Sequence, residues 1–320
     1  TGNIPTNQRF TGSGSVLGNT NTIDSYNSLK NKIGRQNGLH PNLDPKNYQD
    51  KNMKTNCKYP VVFALDVTGS MCEWPQIIYD KMPMFYGQIM MNKYLSDLKI
   101  SFCAISDYSD EITLQVTEFS DAHEIDERIS LLYLGGGMGP LIRHEAYESA
   151  GFFYSYMTDL ENCELPFFFL TCDEDYYLDV AKYRIKKKLG RDFEHDEIKG
   201  RKVFFDLMKK YNLFVIKKPY NNKIEQGELD QWTNTVGKNR IFIVENPKAS
   251  IDVILGAIAL TNGKTLEEYT EDMKKRGQTN ERVELVSKCL SGYYEEIKSG
   301  KAKIVRFESK DTPEENLVKK

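Results

Sequence analysis

Two stretches of this chain are apolar at every position rather than at alternate ones: Val61-Val-Phe-Ala-Leu65 and Phe167-Phe-Phe-Leu170. A strand of that kind has to be covered on both faces, as the central strands of a largely parallel sheet are when helices lie on either side. The surrounding pattern agrees with that reading. Pro75 to Leu95 carries Ile77, Ile78, Met82, Phe85, Ile89, Met90 and Tyr94 near helical spacing and is expected to form one long helix. Lys99 to Ser106 and Ile112 to Phe119 read as strands joined by the polar turn Asp107-Tyr-Ser-Asp110, a hairpin that supplies one antiparallel edge strand. Helices follow at Ser120 to Leu132, with Ser120 as cap, and at about Leu141 to Met157. Further on, Asp179 to Leu189, Gly200 to Tyr211, Leu229 to Val236 and Ser250 to Leu260 read as helices, with strands at Leu213 to Ile216 and Ile241 to Val244. The expected fold class is α/β: a doubly wound, mostly parallel six-stranded sheet with one antiparallel edge strand.

The ends of the chain differ from this centre. Residues 1–57 are rich in Asn, Thr, Gly, Ser and Gln without a hydrophobic period, an arm that must lie on its own domain or on a neighbouring subunit. Residues 58–262 form the α/β domain. Residues 263–320 are a C-terminal extension with a helical pair over 265–298, in which Thr265 and Glu268 have capping-box spacing. A marginal seventh strand at Lys303 to Phe307 and a charged tail complete it.

A net charge of −3 over 320 residues provides no field for nucleic acid or anionic membrane, and no run approaches the length of a membrane span. Lys182 to Lys188 is basic, but a solvated helix face accounts for it. The six cysteines are scattered without a C-x-x-C pair and read as buried thiols of a reducing compartment, so the expected location is cytoplasmic. Trp232 reads as an anchor between a late helix and the sheet.

The first apolar strand runs directly into Asp66-Val-Thr-Gly-Ser70, and the second into Thr171-Cys-Asp-Glu-Asp175. One carboxylate and two hydroxyls at alternate positions beyond a strand, with a second carboxylate beyond a neighbouring strand, suit a small hard cation such as Mg²⁺, or Mn²⁺ or Ca²⁺ in its place. In an open α/β sheet, ligands bind beyond the carboxyl ends of strands where the strand order reverses. Asp66 and Ser70 could equally be N-caps of the following helix, holding free backbone N–H groups.

Together with the glycine loop Gly135-Gly-Gly-Met-Gly-Pro140, these segments resemble, in order and approximate spacing, the three loops of the metal-ion-dependent adhesion site of von Willebrand factor A domains. The resemblance extends over about 58–262 and implies a metal held by Asp66, Thr68, Ser70 and Asp173. Many family members place a Thr in the second loop, where this chain has Gly137 and Met138; water would fill that position and weaken the metal, or leave the site without one. The resemblance also implies a partner that completes the metal shell with an Asp or Glu. Glu73, Trp74, Asp107, Asp110, Met138 and Tyr176 would surround that contact, although the hairpin turn alone explains Asp107 and Asp110.

The expected function is a non-enzymatic interaction or scaffold module. One alternative is a structural protein with a degenerate site, its arm and C-terminal helices building a homo- or hetero-oligomer. Another is a phosphotransferase similar to haloacid dehalogenases, with Asp66 as nucleophile and Asp173 with Asp175 or Asp179 as the Mg²⁺ pair. Such enzymes need a lysine ahead of the acidic pair, and none lies between Lys99 and Asp173.

Overall fold

The computed structural model describes residues 38–134, 144–219 and 226–308. The first 37 residues of the arm, the glycine loop with Met138, and the charged tail beyond 308 lie outside the described residues.

After two short 3-10 turns at Pro41–Leu43 and Pro45–Tyr48, strand β1 (Met53–Thr55) leads to β2 (Tyr59–Asp66), helices α1 (Trp74–Asp80) and α2 (Met82–Met91), β3 (Leu98–Ile105), β4 (Leu114–Val116) and α3 (Ala122–Ser130). The next segment holds β5 (His144–Glu145), α4 (Tyr147–Tyr156), β6 (Thr158–Leu160), β7 (Phe167–Cys172), β8 (Asp175–Tyr176), β9 (Asp179–Ala181), α5 (Lys182–Leu189), β10 (Glu197–Lys199), α6 (Gly200–Leu207) and β11 (Asn212–Lys217). The chain ends with α7 (Gln226–Val236), β12 (Ile241–Ile243), α8 (Ser250–Thr261), α9 (Leu266–Lys275) and α10 (Asn280–Lys298).

The main sheet has the order β12-β11-β7-β2-β3-β4, parallel throughout except for β4 against β3. This corrects the expected fold class, the doubly wound sheet of von Willebrand factor A type. The sheet is mixed, both its edge strands are only three residues long, and three two-stranded ladders (β1–β6, β9–β10, β5–β8) stand outside it. Polar chain is the physical reason. Asp107 to Glu111 stops the hairpin before a long edge strand can pair, and after β7 the run Asp173 to Ala181 forms two short ladder strands where a regular winding would go directly into a helix.

Alternate side chains of the central strands feed two cores. Val61, Phe63 and Leu65 join Phe102, Phe169 and Phe214 under α1, α2 and the C-terminal helices. Val62 and Ala64 join Phe168, Leu170 and Val215 against α4, α6 and Trp232 of α7. Burial on both faces of β2 and β7 fixes their register, because a slip of one residue would exchange the two sets.

Several elements differ from expectation for local reasons. The helix expected over Pro75 to Leu95 is two helices that meet at Lys81. Pro83 sits in the first turn of the second, where its missing N–H costs nothing but a continuous helix could not pass it. Asp179 to Ala181 is strand rather than the first turn of α5, and α5 closes on Gly190 at φ +77°. Asp121, not Ser120, occupies the cap position of α3. Lys303 to Phe307 forms no strand; Asn212 holds it, donating to the Val305 carbonyl (2.8 Å) and accepting from the Val305 amide (2.9 Å).

The helical pair at the end is fastened to the domain. Thr265 and Glu268 form a reciprocal capping box. Gly256 of α8 lets Leu290 and Tyr269 approach so closely that a Cβ there would lie 2.3 Å from Leu290. The fully buried Asp252 carboxylate accepts from Arg276 (2.7 Å) and Arg282 (3.4 Å). Removing one partner of a buried ion pair leaves the other charge uncompensated. Asp252→Ala is therefore expected to cost about 3–5 kcal/mol of unfolding free energy, read from the urea midpoint at unchanged slope. A loss below about 1 kcal/mol would show that these bridges do not fasten the extension.

Candidate functional site

The register of the central strands builds the site. β2 and β7 are hydrogen-bonded neighbours, with Leu65 opposite Thr171, and the Asp66 amide donates to Thr171 Oγ1 at 3.1 Å. Two residues beyond Thr171 stands Asp173, so the two predicted carboxylates emerge side by side from adjacent parallel strands. Both are fully buried. The strand end turns at once: Asp66 Oδ1 accepts from the Thr68 amide (2.9 Å) and the Thr68 hydroxyl (2.6 Å), and Thr68 Oγ1 lies 3.2 Å from Ser70 Oγ. Asp66, Thr68 and Ser70 therefore form one connected set of oxygens. Asp66 gives no cap to α1, which begins at Trp74 with no side-chain cap.

Two groups that sequence reasoning passed over join this set. The β5–β8 ladder pairs His144 with Asp175 and Glu145 with Tyr176, which sets Glu145 beside the segment that follows Asp173. Tyr147, the first residue of α4, donates its hydroxyl to Asp66 Oδ2 at 2.5 Å. Glu145 is buried, and its Oε2 has no hydrogen-bond partner among the described residues. Glu145 follows a glycine loop and precedes a helix, a setting in which an acidic residue ordinarily reads as a favourable charge at a helix start.

The electrostatics follow from this crowding. Burial, and then the neighbouring Asp173 charge, push the Asp66 carboxyl up to about 7. Burial, followed by the charges of Asp66, Glu174, Asp107 and Asp173, pushes Glu145 up to about 10. Burial raises Glu148, one turn on, to about 8. Two lysines face the cluster from the end of β11. The buried Lys217 ammonium donates to the carbonyls of Asp173 (2.6 Å) and Glu174 (3.2 Å), and Lys218 donates to the Ser70 carbonyl.

The remaining sequence candidates scatter. Glu73 is exposed, whereas Trp74 is buried in the core. Tyr176 is also core: its hydroxyl is 2.6 Å from Thr235 Oγ1 and its ring packs edge-on to Trp232 at 4.9 Å. Neither can meet a partner in this conformation. Their place in the loops around the predicted site suggested a contact surface, and both rings are buried instead. Asp107 accepts from the Ser109 amide (2.8 Å) and the Tyr177 hydroxyl (2.7 Å), and Asp110 accepts from the Asp107 amide (3.0 Å), so both hold the turn. Met138 lies outside the described residues. Trp232 anchors α7, donating its indole N–H to the Glu174 carbonyl at 3.0 Å.

The donor chemistry fits a hard divalent cation: two carboxylates, two hydroxyls and an excess of buried negative charge. Among the described residues no three His, Cys, Asp or Glu side chains stand together as a metal-holding group. Among the described residues no helix is long and apolar enough to cross a membrane.

No protein-family model matches the sequence, and no curated protein matches it. Among solved structures, the pilus adhesin SpaC from Lactobacillus rhamnosus GG in its open conformation is similar at TM-score 0.43 and 10% identity, over 66% of this chain and 31% of that one. A second structure of the same adhesin gives 0.41 and 10%, over 65% and 32%. The match spans about a third of the adhesin's length.

A carboxyl whose folded value lies above its unfolded one binds more protons folded than unfolded. Its contribution is complete below the unfolded value and is lost as pH rises through the folded one. For Asp66 that window runs from 3.8 to about 7. In chelator, the melting temperature should fall between about pH 5 and about pH 8. Asp66→Asn should remove part of that fall and stabilise the protein at the upper pH by on the order of 2–4 kcal/mol. Destabilisation by this change at the upper pH would mean that the ionised carboxylate is favourably held.

Proposed function

We propose that this chain is a protein-interaction module whose contact is a divalent cation of the adhesion-site type, held by Asp66, Thr68, Ser70 and Asp173 and completed by an Asp or Glu of a protein partner. One observation carries the reading: two buried carboxylates emerge from adjacent parallel strands with two hydroxyls aligned beside the first. Like charges held together out of water are unfavourable unless a cation or protons neutralise them. Two carboxylates balance the charge of a divalent ion, and Lys217 close by offsets part of theirs. The ion accordingly keeps enough electrophilic character to accept one more carboxylate.

Covalent chemistry by Asp66 is disfavoured on this reading. The lysine that such chemistry needs ahead of the acidic pair does not lie between Lys99 and Asp173.

Calorimetric titration with Mn²⁺ or Mg²⁺ tests the site. Wild-type protein is expected to bind one ion, with protons released as Asp66 ionises. Asp173→Ala should weaken binding by at least about tenfold, by analogy with the loss of affinity on disturbing a metal shell. Circular dichroism should remain that of the folded protein. Partner capture should disappear in chelator. Absence of any heat that depends on Asp66 and Asp173 would instead support the structural reading, in which Lys217 and bound protons neutralise the cluster.

A further inference from the structure

The β1–β6 ladder continues beyond its named residues. The Glu161 amide donates to the Thr55 carbonyl at 2.8 Å, and the amides of Glu164 and Leu165 donate to the Lys58 carbonyl at 2.8 and 3.1 Å. These bonds bracket a short interval on each strand, Asn56 and Cys57 on one and Asn162 and Cys163 on the other. Both cysteines are free thiols and both are buried, 1% and 5% exposed, on the facing stretches of the two backbones. Thr55 Oγ1 donates to Cys57 Sγ at 3.2 Å and fixes that thiol in place. Burial pushes Cys57 up to about 11 and Cys163 up to about 12, with the charge of Cys57 adding to the rise of Cys163. The Lys210 ammonium, bonded to Thr158 Oγ1 at 2.9 Å, favours the Cys163 thiolate.

We propose that Cys57 and Cys163 are a disulfide-forming pair, an oxidation site that locks the N-terminal segment 38–57 onto the chain between β6 and β7. The co-reactant is a small disulfide such as oxidised glutathione. One cysteine loses its proton, and its thiolate attacks the small disulfide; an S–S bond to the protein forms as the first glutathione leaves as thiolate. The second cysteine thiolate then displaces the second glutathione, which closes Cys57–Cys163. Two protein thiols are oxidised by two electrons in total, and the oxidant is reduced to two glutathione thiols that take up the two protons. The other four cysteines have no such facing position. Cys103 and Cys172 lie inside the main sheet, Cys72 is exposed after β2, and Cys289 lies on α10. The bond would close a loop of more than one hundred residues, a length at which constraint of the unfolded chain is large.

The full-length protein is incubated with oxidised glutathione, alkylated, digested without reduction and mapped by mass spectrometry. The expected product is a peptide pair joined through Cys57 and Cys163, with a melting temperature raised by about 5 °C or more and returned to its starting value by dithiothreitol. Cys57→Ser and Cys163→Ser should each abolish the joined peptide, and Cys289→Ser should leave it intact. Glutathione adducts confined to Cys72 and Cys289, or Cys57 joined to any cysteine other than Cys163, would overturn the proposal. Because the wild-type map alone decides between these outcomes, a variant that fails to fold does not rescue it.

Discussion

The pairing of β2 with β7 is the constraint from which the rest of the molecule follows. Both strands are apolar on both faces, so their energetic interest lies entirely in being covered. That same pairing delivers Asp66 and Asp173 to one place at the end of the sheet. Burial of the strands and crowding of the carboxylates are therefore a single structural event, and the second cannot be relaxed by sliding one strand without exchanging the side chains packed into the two cores. The site is strained in charge because the core beneath it is well made.

How much of this was legible in the sequence depends on the range over which each signal acts. Val61 to Leu65 and the phenylalanine run declared themselves because uniform burial leaves a local composition with few alternatives. The oxygens of Asp66, Thr68 and Ser70 were legible for the same reason: two-residue spacing beyond a strand places them together without help from any distant segment. Long-range pairing was not legible. Glu145 reaches the cluster only through the β5–β8 ladder, and two-residue strands carry no periodicity to read. Trp74 and Tyr176 were mistaken for surface because nothing in their immediate neighbours reports Trp232, which arrives from α7 to cover Tyr176. The break at Lys81 was written in Pro83 but lost under a strong apolar pattern. The regular winding expected from the adhesion-type resemblance failed where polar segments end strands early.

The two ends of the described chain are secured by different physics. At the C-terminal side, α9 and α10 rest on packing against Gly256 and on a buried carboxylate with two arginines, contacts that depend on desolvation and geometry rather than on any reagent. At the N-terminal side, segment 38–57 contributes few large apolar groups, with Leu43, Tyr48 and Met53 among them, and its attachment uses a three-residue ladder. Few buried contacts per residue place that segment at the low-stability end of the molecule. A covalent link between Cys57 and Cys163 would change the balance there without touching the carboxylate cluster, whose residues lie at the far ends of β2 and β7.

On the proposed reading, protons and a cation would compete for the same negative charge. With Asp66 raised to about 7 and Glu145 to about 10, the cluster holds protons near neutral pH when nothing else neutralises it. A divalent ion entering beside Asp66 would, on that reading, displace the proton there, and its apparent affinity would rise with pH until Asp66 is fully ionised. Glu145, raised further than Asp66, would keep its proton through that range. That protonated form would lower the local negative charge and with it the attraction for an ion, and would leave a bound metal more receptive to a carboxylate from outside. Lys217 acts in the same sense. The groups that weaken the hold on the cation are therefore the ones that would strengthen its hold on a partner.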